Sequence, residues 1–449
     1  MRTLRWSVLA IVGVLPTIAA CEDRDLPPRG QLLLYLDTDA PLALAPGARA
    51  DTDAPFGLFD RVRVETLLLD GTPACAACAR DFSVNRDELA KRTLSVGLLP
   101  GGQSSLMVRV RLFRATAAPG GTPRESATID RTFGVPGIPD EGIVEATAFL
   151  PVEAVGLGPS EGALPLRDGP PGPVALHAAM SPSPCTTTGQ AGEVCLRGLA
   201  FWMSDPRVGV LSTSGEQVPE RLVVLSPFWI DDREVTVAQL RASGLVTSAT
   251  EPKRFEEDPK CTYSTAAGPR DDLPANCLVW ATANRYCEAK GARLPTEAEQ
   301  EALLGGREGR RYVWGEDNPT CDDAVLARRD PSSVSSDDPA PTTCSRLGVG
   351  PRPAGAGRRD VIEIGGRRIF DIAGNVAEYG ADVATELNAT CRGRGFTRDP
   401  LCTSGSSSHV VRGASWSIGA FGARSTVHLS ARDTSSAFDV GFRCARSGR

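Results

Sequence analysis

Histidine is scarce in this chain: His177, His409 and His428 are the only three in 449 residues. They lie in separate segments, so a three-histidine metal centre would require all of them to converge, which argues against that class of site. Basic charge is not in excess either. Lys and Arg number 49 against 55 Asp and Glu, a net charge of −6, and no basic stripe stands out. That balance excludes a dominant nucleic-acid function, and no nucleic acid is expected among the partners. Beyond the N-terminus no apolar run reaches the roughly 20 residues of a membrane-spanning helix. What is there is ordinary globular material, 41% apolar and 23% charged, which leaves no room for wholesale disorder, collagen or coiled coil. At roughly 150 residues per domain the length implies two or three domains.

The one long apolar stretch runs from Trp6 to Ala20 behind Arg2 and Arg5, the pattern of a secretory signal. It ends Ile18-Ala19-Ala20-Cys21, which resembles the bacterial lipobox, where small residues admit the signal peptidase and the cysteine thiol receives a lipid. Residues 1–20 are therefore expected to be a lipoprotein signal, with Cys21 lipidated as the mature N-terminus and the membrane a partner through that lipid. The alternative is an ordinary signal cut nearby. Removing Arg2 and Arg5 takes the net charge from −6 to −8. Glu22 rather than Asp follows Cys21, which gives no reason for inner-membrane retention, so the expected location is the outer membrane of a bacterial envelope.

Setting Cys21 aside, 12 of the 13 cysteines remain, an even number in an oxidising compartment and so a disulfide framework. Most form local couples around Gly-, Pro- and Asp-rich loops: Cys75 with Cys78, Cys185 with Cys195, Cys261 with Cys277, Cys321 with Cys344, and Cys391 with Cys402, leaving Cys287 and Cys444. Sequence alone does not fix the pairing. The Cys75-Ala-Ala-Cys78 spacing could be a redox dithiol, but no strand-to-helix context surrounds it, and without a second C-x-x-C no zinc site is complete. A structural bridge is preferred.

From residue 21 to 155 the chain offers β-rich runs at Gln31 to Leu36, Arg61 to Leu69, Thr93 to Leu98, Leu106 to Phe113 and Ile143 to Leu150. In the fourth run Val108, Val110 and Leu112 alternate with Arg109 and Arg111, the period of a half-buried strand. Turn residues punctuate at sandwich-like spacing, so an all-β sandwich-like domain is expected. The phrase Asp-Thr-Asp-Ala-Pro occurs at Asp37 and again at Asp51; it could hold Ca²⁺, although turn chemistry explains it more simply. Residues 156–184 are dense in Pro and Gly and are expected to be a linker. A second domain over residues 185–449 announces its helices by capping boxes, Thr236 with Gln239 and Thr296 with Glu299. Thr282 is expected to cap a third helix that Gly291 closes as a left-handed C′ residue.

Several phrases in the second domain, taken together and in order, resemble the formylglycine-generating enzyme or sulfatase-modifying factor domain, a variant of the C-type lectin fold. They are Phe228-Trp229-Ile230-Asp231 leading to Glu234-Val235-Thr236, Val279-Trp280 to Tyr286-Cys287, and Gly291-Ala292-Arg293-Leu294-Pro295-Thr296-Glu297-Ala298-Glu299. Tyr312-Val313-Trp314-Gly315, Phe370-Asp371-Ile372-Ala373-Gly374-Asn375-Val376-Ala377-Glu378-Tyr379, Val411-Arg412-Gly413-Ala414-Ser415-Trp416 and Gly441-Phe442-Arg443-Cys444 complete the series. The expected class is α+β: a C-terminal domain of this lectin-like type preceded by the all-β sandwich-like domain.

The resemblance implies a Cys287 to Cys444 bridge from helix to C-terminus. It also implies calcium at Asp371, Gly374, Val376 and Glu378, two acids through side chains and two residues through carbonyls, an all-oxygen set suited to a hard cation. A metal-free loop held by hydrogen bonds from Asp371 and Asn375 is the alternative. Asp323 matches a second ion site more weakly. Arg293, Glu297 and Glu299 look like acid–base carboxylates with a partner, but capping and charge neutralisation account for Glu299 and Arg293.

Active members of that family oxidise a sulfatase cysteine to formylglycine with O₂ on copper(I) held by two thiolates, the soft donors such an ion requires. Those cysteines lie two and seven positions after the aromatic residue of the Arg-Gly-Gly-Ser block; here Ile418 and Ala423 stand there, and no cysteine occurs between Cys402 and Cys444. A related branch that uses iron on three histidines draws them from an added helical domain, which nothing here offers. No catalytic residue and no copper are expected, only a structural calcium ion. The expected role is binding or structure, with an envelope protein or glycan as ligand; the competing role is an active formylglycine-generating oxidoreductase.

Overall fold

A computed structural model describes residues 30–48, 55–99, 106–135, 137–173, 175–204, 220–246, 251–329, 344–386, 389–393 and 395–449. The expected signal over residues 1–20, Cys21 and the second Asp-Thr-Asp-Ala phrase lie outside the described residues. Among those described, no helix is long and apolar enough to cross a membrane.

The first domain is a sandwich of two four-stranded sheets. Strand β1 (Gln31–Thr38) starts one sheet; β2 (Arg61–Leu67), β3 (Ala79–Ser83) and a short helix α1 (Arg86–Lys91) follow, then β4 (Ser95–Leu98), β5 (Leu106–Phe113), β6 (Ile129–Val135), β7 (Ile143–Leu150) and β8 (Arg167–Asp168). The sheet orders are β4-β1-β7-β8 and β3-β2-β5-β6. Alternation decides which side chains enter the core: Leu106, Val108, Val110 and Leu112 of β5 are buried. Arg109 and Arg111, on the other face, pair with Asp130 and Glu65 at 2.5 Å. Asp37 and Asp39 serve as turn acceptors, Asp37 for the Thr38 N–H and Asp39 for that of Val152.

The Pro/Gly-rich stretch expected as a linker is fastened to this domain along much of its length. Leu164 exchanges backbone hydrogen bonds with Thr132 and Gly134, β8 pairs with β7, and Ala179 and Met180 enter the sandwich core.

The second domain runs through β9 (Glu193–Leu196), β10 (Leu199–Met203), β11 (Arg221–Leu225) and β12 (Phe228–Asp231), then helices α2 (Val237–Ala242), α3 (Trp280–Ala289) and α4 (Glu297–Gly305). Short strands close it: β13 (Val361–Ile364), β14 (Arg367–Phe370), β15 (Ala377–Val383), β16 (Thr397–Arg398), β17 (Ser408–Arg412), β18 (Leu429–Arg432), β19 (Val440–Gly441) and β20 (Ala445–Ser447). Strands β10 and β11 are apolar on both faces and join the two domains. Ala200, Trp202, Leu222 and Val224 belong to the sandwich core, whereas Phe201, Met203, Val223 and Leu225 belong to the second core. Trp202 fixes the seam by donating its indole N–H to Leu58 O at 3.0 Å and meeting Phe59 edge-on.

Both capping boxes form, Thr236 with Gln239 and Thr296 with Glu299. Gly291 follows the α3 C-cap residue Lys290 and takes φ 71°, the left-handed C′ position expected for it. Thr282 does not cap α3. The helix starts one turn earlier, with Val279 at the N-cap and Thr282 buried inside it. Tertiary packing overrides the cap there: the Trp280 ring stacks on His409 at 3.6 Å and its N–H donates to Gly380 O, while the Glu251 carboxylate accepts from the Val279 N–H. The five local cysteine couples all form bridges, and Cys287 of α3 joins Cys444 just before β20.

Candidate functional site

Strand β17 delivers Arg412 and then the chain turns through Gly413, whose φ of 80° suits glycine. Trp416 lands in a buried pocket of Val325 and Val376, with Phe438 against it. The following loop is a run of tight turns, Ile418 N–H to Ser415 O, Gly422 N–H to Gly419 O and Ala423 N–H to Ala420 O. Ser415 and Ser417 pin its start by donating to one oxygen of Asp439, at 3.2 and 2.6 Å. These turns carry Ile418 and Ala423 into the same hydrophobic cluster as Ala298, Ala302, Leu303 and Tyr312. The packing is close: a Cβ added at Gly422 would meet Ile418 Cγ2 at 2.8 Å. The place where the resemblance puts two thiolates is thus filled with hydrocarbon. All twelve cysteines among the described residues are disulfide-bonded, so none of them offers a thiolate to a soft metal.

Beside this loop lies a buried charge network. Arg412 donates to Val427 O, Ser425 O and the Glu301 carboxylate, the last at 2.5 Å. Glu297 meets His428, Arg392 at 3.1 Å and Arg412 at 3.9 Å. Burial alone would raise the Glu297 carboxyl, but those three neighbours hold it well below the usual range. Burial pushes His428 down against the pull of Glu297. Asp382 accepts from the N–H groups of Glu297 and Cys402, and burial together with the Glu297 charge pushes it up to about 6. Arg293 grips Glu299 through two bonds of 2.6 and 2.7 Å while Glu299 also serves the Thr296 capping box. Paired and buried in this way, Glu297, Glu301, Arg412 and His428 act as structural charges that hold α4 against β17, whereas Arg293, 40% exposed, braces the first turn of α4.

A second cluster surrounds the loop from Asp371 to Glu378. Asp371 and Asn375 are non-glycine residues at positive φ, 53° and 69°, and side-chain hydrogen bonds hold that shape. Asn375 donates to Glu234 and Arg352 O and accepts from the Arg352 N–H, while Glu234 also accepts from the Val376 N–H. Asp360 caps the turn through the N–H groups of Ile372 and Ala373. Arg443, fully buried, donates to both Glu378 oxygens at 2.8 Å and to the carbonyls of Phe370 and Asp371. Burial, then repulsion from Asp371 and Glu378, raises Glu234 well above the usual carboxyl range. Burial and the charge of Asp360 push Asp371 up to about 7.

The donor chemistry here admits a hard cation. Asp371 Oδ1 is buried with no hydrogen-bond partner, and of the neighbouring Asp360 carboxylate only the Gly374 N–H approaches the oxygen left free by Ile372 and Ala373. Glu378 is engaged by Arg443, yet a carboxylate has about four lone-pair sites and retains some. Among the described residues no three His, Cys, Asp or Glu side chains are grouped to hold a metal, so an ion here would need the Gly374 and Val376 carbonyls as well. Asp323 is otherwise occupied: Thr320 donates to it twice at 2.9 Å, and Arg358 and Arg359 approach within 3.3 and 3.7 Å. Sequence reasoning missed Glu234 as a loop anchor, Asp360, and Arg443 as the cation of this cluster. The phrases Glu234-Val235-Thr236 and Gly441-Phe442-Arg443-Cys444 contained two of them.

Residues 180–448 match the sulfatase-modifying factor enzyme 1-like domain family. The chain is 29% identical over 321 residues to the formylglycine-generating enzyme of Streptomyces coelicolor, covering 60% of this chain and 95% of that protein. It is also 29% identical over 201 residues to the inactive C-alpha-formylglycine-generating enzyme 2 of Mus musculus, where it spans 56% of the relative's length and 42% of its own. Among solved structures, PvdO from Pseudomonas aeruginosa aligns with 20% identity and a TM-score of 0.40, over 57% of this chain and 94% of that one.

Proposed function

Because the chain belongs to the sulfatase-modifying factor enzyme 1-like family through residues 180–448, we propose that it is a member that makes no formylglycine and serves in binding or structure. One observation carries this reading: Ile418 and Ala423, at the positions of the family's copper-binding cysteines, are packed into a hydrophobic cluster. Thiolates are what copper(I) requires, and the described cysteines of this domain are all in bridges. Relatives of both kinds, a formylglycine-generating enzyme and one named inactive, match this chain. Purified protein incubated with copper(I), O₂ and a sulfatase-type cysteine peptide is expected to convert no more peptide than copper alone, read by mass spectrometry. Robust turnover that disappears when copper is removed would return the protein to the oxidase class.

The anchoring half of the proposal rests on Ile18-Ala19-Ala20-Cys21. Cys21 would hold the protein on the outer membrane through lipid, placing the lectin-like domain where it can meet an envelope protein or glycan. Cys21→Ser is expected to move the protein from the membrane to the soluble fraction. A mature N-terminus without acyl groups defeats the assignment.

Calcium, bound by the Asp371 and Glu378 side chains and the Gly374 and Val376 carbonyls, would neutralise buried carboxylate charge and brace the loop. It performs no chemistry in this reading. At calcium about 100-fold above its Kd, binding would add roughly 2.7 kcal/mol and raise the Tm by about 5 °C or more. The rise should vanish in Asp371→Asn. A melting curve identical in millimolar calcium and in chelator, with no metal retained, is the contrary result.

A further inference from the structure

The Cys75–Cys78 bridge differs from the other five. Cys75 is the one exposed cysteine among the described residues, whereas its partner Cys78 is half-buried. The bridge sits at the end of the β2–β3 hairpin and closes a loop with a sequence separation of only 3. Loop closure there restrains little of the unfolded chain. The hairpin end is also held without it, by the Thr66 N–H to Cys78 O at 3.0 Å and the Ala74 N–H to Thr66 O at 2.9 Å. This disulfide is therefore the one whose structural task is smallest and whose sulfur a thiol reaches most easily.

Beside it opens a cleft of about 500 Å³ between the β4 edge of one sheet and the β2–β3 hairpin of the other. Both cysteines line it, together with Val64, Val96, Leu98, Leu99 and Leu106. Leu99 is 61% exposed. Arg80, two residues past Cys78, lies on the same wall. An accessible sulfur, aliphatic walls and one cation are what an extended peptide carrying thiols and aliphatic side chains would need.

We propose that Cys75–Cys78 is an exchangeable disulfide that oxidises thiol-bearing peptides seated by aliphatic side chains in this cleft. A peptide thiolate attacks Cys75 Sγ, the bond to Cys78 breaks, and Cys78 leaves as a thiolate favoured by Arg80. The mixed disulfide is resolved when a second thiolate of the same peptide attacks the first peptide sulfur and expels the Cys75 thiolate. The peptide loses two electrons and two protons and gains a disulfide, while Cys75 and Cys78 become a dithiol. A small-molecule disulfide such as oxidised glutathione restores the bridge by the reverse exchange. The proposal is independent of the second domain and of its lost oxidase positions.

The test uses the full chain. In glutathione buffers, alkylation and peptide mapping are expected to show Cys75 and Cys78 exchanging while the other ten bridged cysteines stay oxidised. A dithiol peptide flanked by leucine and valine should be oxidised about tenfold faster than one flanked by serine, the scale of one buried aliphatic side chain. Leu99→Asp should erase that preference, and Cys78→Ser, which leaves Cys75 with no bridge to exchange, should abolish stoichiometric oxidation of either peptide. Arg80→Glu, a second exposed variant, should slow release of Cys78 several-fold by removing the favourable charge. If Cys75–Cys78 exchanges no faster than the other bridges, or if both peptides react at one rate, the idea is overturned.

Discussion

Arg443→Met is expected to destabilise the second domain by about 3–5 kcal/mol, the range for stripping one partner from a buried ion pair. The residue is 1% exposed, and its guanidinium binds both Glu378 oxygens and the carbonyls of Asp231, Phe370 and Asp371. Methionine matches the length but offers no donor. It would leave Glu378 buried beside Glu234 and Asp371 without its counter-charge, and several carbonyls without a partner. Arg443→Lys keeps the charge but cannot reproduce a planar fork that reaches a carboxylate and carbonyls together, so an intermediate loss is expected. Adding Glu378→Met to Arg443→Met should recover part of the loss, because the uncompensated charge goes with it. Urea unfolding at pH 7 measures all three. An Arg443→Met protein within about 1 kcal/mol of the parent would show that the cluster neutralises itself by other means.

Local features of this fold were legible in the sequence and convergent ones were not. The β5 alternation, the two capping boxes and the five short cysteine couples each depend on residues within one element or one loop. The pattern and the contact are then the same stretch of chain. Strand β3 escaped notice because all five of its residues are exposed, so an edge strand held by backbone pairing with β2 has no apolar period to reveal it. Strands β10 and β11 were hidden for the opposite reason. With both faces apolar they give no sign that each face serves a different core. The charge clusters join residues far apart in sequence: Glu234 meets Asn375 at a separation of 141, and Arg412 meets Glu301 at 111. Nothing at either end of such a pair encodes its partner. The ordered phrases resembling the sulfatase-modifying factor domain supplied that missing long-range information for Cys287 and Cys444, but they did not assign Asp360 or Arg443 a role.

Removing the Cys287–Cys444 bridge should cost more than removing any other disulfide in the chain. It spans 157 residues, and the chain-entropy relation gives about 5 kcal/mol for a loop of that length against about 2 kcal/mol for a four-residue loop such as that of Cys75 and Cys78. The bridge also fastens α3 to the segment that delivers Arg443 and β20. Around it the Asp231 N–H donates to Cys444 O, the Cys444 N–H donates to Asp231 Oδ2, and Lys290 of the α3 C-cap pairs with Asp231 Oδ1 at 2.5 Å. These contacts hold the last strand in place only while the chain ends stay close, and the covalent link ensures that proximity. Both sulfurs are buried, so alanine is the replacement that introduces no unpaired polar group. Cys287→Ala with Cys444→Ala is therefore expected to lower stability by roughly 3 kcal/mol more than Cys75→Ala with Cys78→Ala, measured by urea unfolding without reductant. Equal losses in the two double variants would mean that residual structure in the unfolded chain already keeps α3 near the C-terminus, and the entropic account of this bridge would have to be abandoned.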